Sequence, residues 1–141
     1  MKRLLLSLIV FAAPLLAQST KAKKFQAYDL VITDLKAGLA AWQVEIAYDK
    51  NALNIVGIEG GEKPFLKPAD YDSKGLTEGR IVLAAYTLSE KLKSGELHLA
   101  RIHVLETEGA FQNVERRIVV LADRKGQQIS AKILLKKVNK R

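Results

Sequence analysis

Apolar side chains alternate with polar or small ones along residues 42–48, and this alternation constrains the fold more than any other feature. The two phases are Trp42, Val44, Ile46 and Tyr48 on one side, and Gln43, Glu45 and Ala47 on the other. A period of two is typical of a β-strand with one face on a core and the other toward water. The sequence therefore predicts that the rings of Trp42 and Tyr48 lie together in the core.

Several other stretches also read as strands. Alternation recurs in residues 100–104 and 129–136, and apolar runs mark residues 25–33, 53–58, 80–87 and 116–122. Turn residues such as Gly60-Gly61 and Lys125-Gly126 separate these runs, and no window of 12 or more residues has a helical period. We predict an all-β, two-sheet antiparallel β-sandwich. Residues 81–85 and 118–121 are apolar in both phases, which predicts central strands or strands covered on both faces.

The first residues have the features of an export signal. A basic start, Met1-Lys2-Arg3, precedes a mostly apolar stretch at residues 4–16 and the small residue Ala17. As a helix, that stretch would span about 20 Å, less than the roughly 30 Å of a bilayer core. The sequence predicts a signal peptide (1–17) cleaved near Ala17, a basic flexible N-terminus (18–24), one domain (25–138) and a basic tail (139–141). We expect a secreted or periplasmic protein without a membrane span in the mature chain.

The charge distribution argues against nucleic-acid binding. The formal net charge is +8, but much of the excess lies near the two ends of the chain, at Lys21, Lys23, Lys24, Lys136, Lys137, Lys140 and Arg141. Proteins that bind nucleic acids more often carry a basic stripe across the folded body, interleaved with aromatic residues. The absence of cysteine excludes disulfides, cysteine-ligated metals and a cysteine nucleophile.

The residues needed for catalysis or metal binding are sparse. His98 and His103 are the only histidines, and their odd separation on a strand predicts opposite faces unless a bulge intervenes. Asp70 and Asp72 read as a solvated loop rather than a calcium site. Three serines lack the nucleophile-elbow pattern, namely Ser89, Ser94 and Ser130. We therefore predict a non-enzymatic protein with no cofactor and no metal.

Residues 39–61 resemble the most recognisable stretch of cohesin domains. In both, a strand ends in Tyr-Asp, here Tyr48-Asp49, and a short turn leads to a leucine, Leu53, and a second strand that ends near glycine. Looser similarity covers most of residues 25–138. From the residues themselves, Tyr48 can bury its ring while its hydroxyl group reaches a polar partner, and Asp49 can accept a backbone N–H in the turn. Leu53 then returns an apolar side chain to the core.

The cohesin resemblance implies a jelly-roll sandwich used for protein–protein recognition. Cohesins hold dockerin-bearing enzymes, and the calcium belongs to the dockerin. Carried over by position, the outward residues Ala41, Gln43 and Glu45 would face a partner, and Leu83 and Ala85 are weaker candidates. We therefore expect a protein partner, of the dockerin type or from the cell envelope.

Two other functions remain open from the sequence. Some cellulose-binding modules share the sandwich, and flat sugar binding needs two or three exposed aromatic rings. Phe65, Tyr71 and Tyr86 are the candidates for such a carbohydrate-binding platform. An exported, basic, single-domain protein could also serve as a structural subunit of an envelope assembly.

Overall fold

The computed structural model describes residues 21–139 of the chain. The predicted export signal (1–17), the start of the basic N-terminus (18–20) and the last two residues (140–141) lie outside the described residues.

Seven β-strands and two short 3₁₀-helices make up the described chain. The strands are β1 (Lys24–Leu35), β2 (Ala41–Ala47), β3 (Leu53–Gly60), β4 (Arg80–Tyr86), β5 (Gly95–Glu106), β6 (Glu115–Ala122) and β7 (Lys132–Lys137). The 3₁₀-helices are Ser73–Leu76 and Phe111–Asn113. Every predicted strand is present. β7 begins later than its alternation does, because the residues just before it pair only locally with the end of β6, where the Ile129 amide donates to the carbonyl oxygen of Leu121.

The strands form two antiparallel sheets. One has four strands in the order β3-β5-β1-β7, and the other has three in the order β4-β2-β6. The predicted all-β, two-sheet antiparallel architecture is thus confirmed. β4 and β6 are the outer strands of the three-stranded sheet, so the first of the two predicted alternatives, that they are central strands, is wrong.

The inward phases of both sheets form one hydrophobic core. Trp42 is 2% exposed and Tyr48 is 9% exposed, and both belong to the same cluster of buried side chains. Leu30 and Ile32 of β1 contribute to that cluster from the opposite sheet. The prediction that the Trp42 and Tyr48 rings lie in a core between two sheets is confirmed.

The turn after β2 is held by the side chains of Tyr48 and Asp49. Asp49 Oδ1 accepts the amide of Asn51 at 2.8 Å, and the Asp49 carbonyl oxygen accepts the amide of Leu53 at 3.0 Å. The Tyr48 hydroxyl donates to the carbonyl oxygen of Gly75 at 2.6 Å. These contacts confirm the predicted structural roles of the two side chains, and Leu53 is buried as expected.

A β-bulge in β5 changes the direction of its histidines. Leu30 pairs with Ala100, but Val31 pairs with His98, so Leu99 is the extra residue. The bulge shifts the strand phase by one residue. His98 and His103 consequently lie on the same, outward face, so the exception named in the prediction of opposite faces, an intervening bulge, applies.

Candidate functional site

The side of the three-stranded sheet that points away from the core is the candidate site, and we refer to it as the outer face. In register across the sheet, Gln43 of β2 lies between Ala84 of β4 and Val120 of β6. The next row of paired residues on one side is Ala41, Tyr86 and Ala122, and the next row on the other side is Glu45, Val82 and Arg117. Ala41, Gln43 and Glu45 alternate with buried neighbours, so the structure brings them together on this face.

Two of the residues predicted to face a partner instead point inward. Leu83 is fully buried, and Ala85 is half-buried against the core. Ala85 pairs with Trp42 in the register, and directly paired residues of neighbouring strands share a face of the sheet. The assignment of Leu83 and Ala85 to the partner surface is therefore wrong, and the outward residues of β4 are Val82 and Ala84. Because β4 is apolar at both alternating sets of positions, its sequence does not show which set faces outward. The pairing with β2 identifies Val82 and Ala84 as the outward residues.

One end of the outer face is charged and internally paired. Glu45 forms ion pairs with Arg80 of β4 and with Arg117 of β6, the latter at 3.3 Å. The hydrogen bond from Arg80 is the main cause that holds the pKa of Glu45 below its usual value. The Glu45 carboxylate is thus already engaged, while the side chains of Arg80 and Arg117 remain 64% and 62% exposed.

The other end of the outer face is apolar. A shallow depression of about 230 Å³ beside Gln43 is lined mostly by apolar side chains, including Ala41, Ala84, Tyr86 and Val120, with Asp70 as its one charged residue. Tyr86 is 72% exposed and Val120 is 38% exposed. A depression of this kind can accept an apolar side chain of another molecule, with the Gln43 amide as a neighbouring hydrogen-bond donor and acceptor.

The three aromatic residues considered for sugar binding do not form one platform. Phe65 is 3% exposed, and its ring meets Trp42 edge-on with centroids 6.2 Å apart. It is a core residue, and its assignment to a carbohydrate-binding surface is wrong. Tyr71 and Tyr86 are exposed; Tyr86 lines both cavities next to the sheet, and Tyr71 lines neither of these two.

The polar clusters of the described residues have structural roles. Arg101 donates two hydrogen bonds to Asp29, at 2.7 and 3.1 Å, and His98 Nε2 lies 3.2 Å from the same carboxylate. Burial would raise the pKa of Asp29, but the Arg101 hydrogen bond and the neighbouring positive charges outweigh it, so the pKa is lowered. Asp72 accepts the Lys74 amide and caps a 3₁₀-helix.

Neither a metal-binding cluster nor a membrane-spanning helix appears in the described part of the chain. Over residues 21–139, no group of three or more histidine, aspartate or glutamate side chains is arranged to hold a metal ion. Over the same residues, no helix is long and apolar enough to cross a bilayer.

Comparison with known proteins identifies solved structures with a similar fold. No protein-family model matches the chain, and no curated protein does. Among solved structures, CaCohA2 in its complex with a variant of CaDoc0917 superposes with a TM-score of 0.61 at 12% identity, over 81% of this chain and 90% of that one.

Two more cohesin structures give the same result. The solution structure of CaCohA2 from Clostridium acetobutylicum has a TM-score of 0.60 at 13% identity, over 81% of this chain and 82% of that one. The seventh ScaB type I cohesin from Pseudobacteroides cellulosolvens has a TM-score of 0.57 at 12% identity, covering 82% of each chain. At such identities the likeness shows the fold, and the fold of this chain is that of a cohesin-like domain.

Proposed function

We propose that this chain is an exported, non-catalytic recognition module that binds another protein through the outer face of its three-stranded sheet. The cohesin-like fold supports a role in protein–protein recognition, since one of the similar structures is a cohesin in complex with its partner. The partner is a dockerin-type protein or another protein of the envelope or extracellular space. The jelly-roll topology and the export signal at residues 1–17 are parts of the same proposal.

The observation that carries the proposal is the set of apolar side chains at the outward positions of β4 and β6. Val82, Ala84 and Val120 occupy these two outer strands, where solvent-facing antiparallel strands normally carry polar residues. Clustered apolar side chains on a folded surface are typical of interaction sites. Val82 and Ala84 are only half-buried within the domain and Val120 is 38% exposed, so these apolar side chains are available to a partner.

Each predicted residue of β2 has a distinct role in this proposal. Ala41 is small and lets a partner approach the depression closely. Gln43 supplies the polar group at the centre of the apolar rows. Glu45 orients the exposed guanidinium groups of Arg80 and Arg117, which then meet carboxylates of the partner.

The test is affinity capture from the native organism with a matched pair of double variants. Val82→Lys/Val120→Lys places two charges on the outer face, whereas Val56→Lys/Leu134→Lys places two on exposed positions of the four-stranded sheet. Buried charges at a contact that excludes water weaken binding strongly. We expect at least a tenfold loss of partner binding in the first variant and none in the second, at similar melting temperatures.

The identity of the captured protein separates the alternatives. A dockerin-bearing protein favours the cohesin-type role, and an envelope component favours the structural role. Equal capture by both double variants would remove the outer face from the proposal. Retention on insoluble polysaccharide instead of a protein would contradict it entirely.

A further inference from the structure

A groove with a lysine rim runs beside the end of β4 and meets the outer face at Tyr86. It consists of two neighbouring cavities, of about 520 and 460 Å³, whose linings both include Pro64 and Leu66, between the loop after β3 and the loop after β4. Its apolar lining includes Leu66, Tyr86, Leu88 and Leu92. We name this surface the lysine groove.

Three large apolar side chains of the lysine groove are strongly exposed. Leu66 is 57% exposed, Tyr86 is 72% exposed and Leu88 is 88% exposed. They come from two different loops and the end of β4, so their proximity is produced by the fold and not by adjacency in sequence. Single exposed apolar residues are ordinary, but a contiguous concave set is typical of a binding site.

The charge of the rim is one-sided. Four lysines line the groove, namely Lys63, Lys67, Lys91 and Lys93. Glu62 forms an ion pair with Lys93 at 2.7 Å, and this contact is the main cause of the lowered pKa of Glu62. Among the described residues, the other three lysines form no ion pair. Asp70 lines only the end next to the sheet, so the groove presents a surplus of positive charge.

We propose that the lysine groove binds an extended acidic segment of a protein partner, with apolar side chains between its carboxylates. The lysines pair with aspartate or glutamate side chains, and Leu66, Tyr86 and Leu88 contact the apolar ones. Concavity favours a peptide over a membrane surface, because a flat bilayer leaves the groove unfilled. The lysine groove meets the outer face at Tyr86, but the inference is tested separately from the proposed function, since its variants change other residues.

The experiment is a selection of random twelve-residue peptides, displayed on phage, against the immobilised protein. We expect the enriched peptides to be rich in aspartate or glutamate together with leucine, phenylalanine or tyrosine. Their affinity for the Lys63→Glu/Lys67→Glu/Lys91→Glu variant should fall at least tenfold, because three attractions become repulsions. The matched control is Lys24→Glu/Lys50→Glu/Lys137→Glu, which makes the same charge change at exposed lysines outside the groove lining and should bind as the unaltered protein does.

Each result either supports or overturns the inference. Acidic peptides that lose binding only in the groove variant support it, as does a similar loss in Leu66→Ser/Leu88→Ser but not in Val56→Ser/Leu134→Ser. Enrichment of neutral or basic peptides, no enrichment, or equal loss in both lysine variants overturns it. Binding to vesicles containing phosphatidylglycerol without peptide enrichment also overturns it and assigns the groove to a lipid surface. Val82→Lys/Val120→Lys should leave peptide binding unchanged, which separates this test from that of the outer face.

Discussion

Glu106, at the end of β5, is the one charged residue among the buried side chains of the described chain, with 1% of its surface exposed. It accepts the Tyr28 hydroxyl at 2.6 Å and the Phe111 amide at 2.5 Å. The rings of Tyr28 and Phe111 lie 5.1 Å apart, tilted by 55°. Burial, together with Glu106, raises the pKa of Tyr28. One carboxyl group thus ties β1 to the 3₁₀-helix that precedes β6.

We expect Glu106→Ala to lower the free energy of unfolding by about 2–4 kcal/mol, because it leaves a buried hydroxyl and a buried amide without partners. Tyr28→Phe, which removes a single hydrogen bond, should cost about 1 kcal/mol. Urea denaturation of both variants measures the difference. If the two substitutions cost the same, the Phe111 amide does not depend on Glu106.

The hydrogen bonds of Asp49 and Glu106 differ in how well the sequence predicts them, because their partners lie at different distances along the chain. The Asp49 contact was predictable because its acceptor and donor are two residues apart. Glu106 was missed because Tyr28 is 78 residues away. A signal was present, however, since Glu106 shares its phase with the buried Ile102 and Val104. A carboxylate on a buried phase predicts a paired group.

At the scale of the elements, β-bulges decide which side chains face outward, and two of the four register shifts bear on the predictions made above. β5 has its extra residue at Leu99, and β6 has one at Val119, between the residues that pair with Gln43 and Val44. The alternation of the sequence shows that a strand is present, but an inserted residue moves every side chain beyond it to the opposite face of the sheet. This is why the sequence left the faces of the two histidines dependent on a bulge that it could not reveal, although the strands themselves were predicted. The site on β2 was predictable because this strand alternates without interruption.

The end of β3 requires glycine because another strand passes close to it. A Cβ atom on Gly61 would overlap the carbonyl oxygen of His98, a backbone atom of β5 that cannot turn away. Gly57, in the middle of β3, has room, since an added Cβ would lie 3.9 Å from the His103 side chain.

Gly61→Ala should therefore destabilise the protein by about 1–3 kcal/mol, the usual cost of overpacking. Gly57→Ala is the matched control and should be neutral or slightly stabilising, because alanine lowers the entropy of the unfolded chain. Thermal or urea unfolding checks both. A neutral Gly61→Ala would mean that the loop after β3 can move away from β5.

Across the whole molecule, ion pairs hold the pKa of carboxylates low on both sheets. Asp29 pairs with Arg101 on the four-stranded sheet, and Glu45 pairs with two arginines on the three-stranded sheet. Both pKa values are lowered. The sequence predicted the two sheets on which these pairs lie, because the alternation of apolar and polar residues indicates which side chains are buried. It did not predict the pairs, because they depend on strand order and register, which join residues 72 positions apart.

The sign of the pH dependence follows from these shifts. A carboxylate whose pKa is lower in the folded state stabilises the fold above its unfolded pKa, about 4, and this contribution is lost as the pH falls through the folded value. The net charge of +8 at neutral pH grows as carboxylates are protonated, which adds repulsion. We therefore expect the free energy of unfolding to fall below about pH 4 and to recover partly with added salt, which screens the repulsion.

Asp29→Asn tests whether a specific pair contributes to this acid sensitivity. The side chain of Asp29 is 23% exposed and binds Arg101 through both oxygens, so its loss should cost about 1 kcal/mol at pH 7. Because the protonated carboxyl group no longer attracts Arg101, the difference in unfolding free energy between variant and parent should shrink as the pH falls from about 4 to 2.

Asp34→Asn is the control. Asp34 is exposed, and asparagine tolerates its left-handed backbone at φ 61°, so little change is expected at any pH. Urea unfolding at about pH 7, 4 and 2 measures all three proteins, and a constant difference for Asp29→Asn would mean that shape rather than charge is what Arg101 recognises.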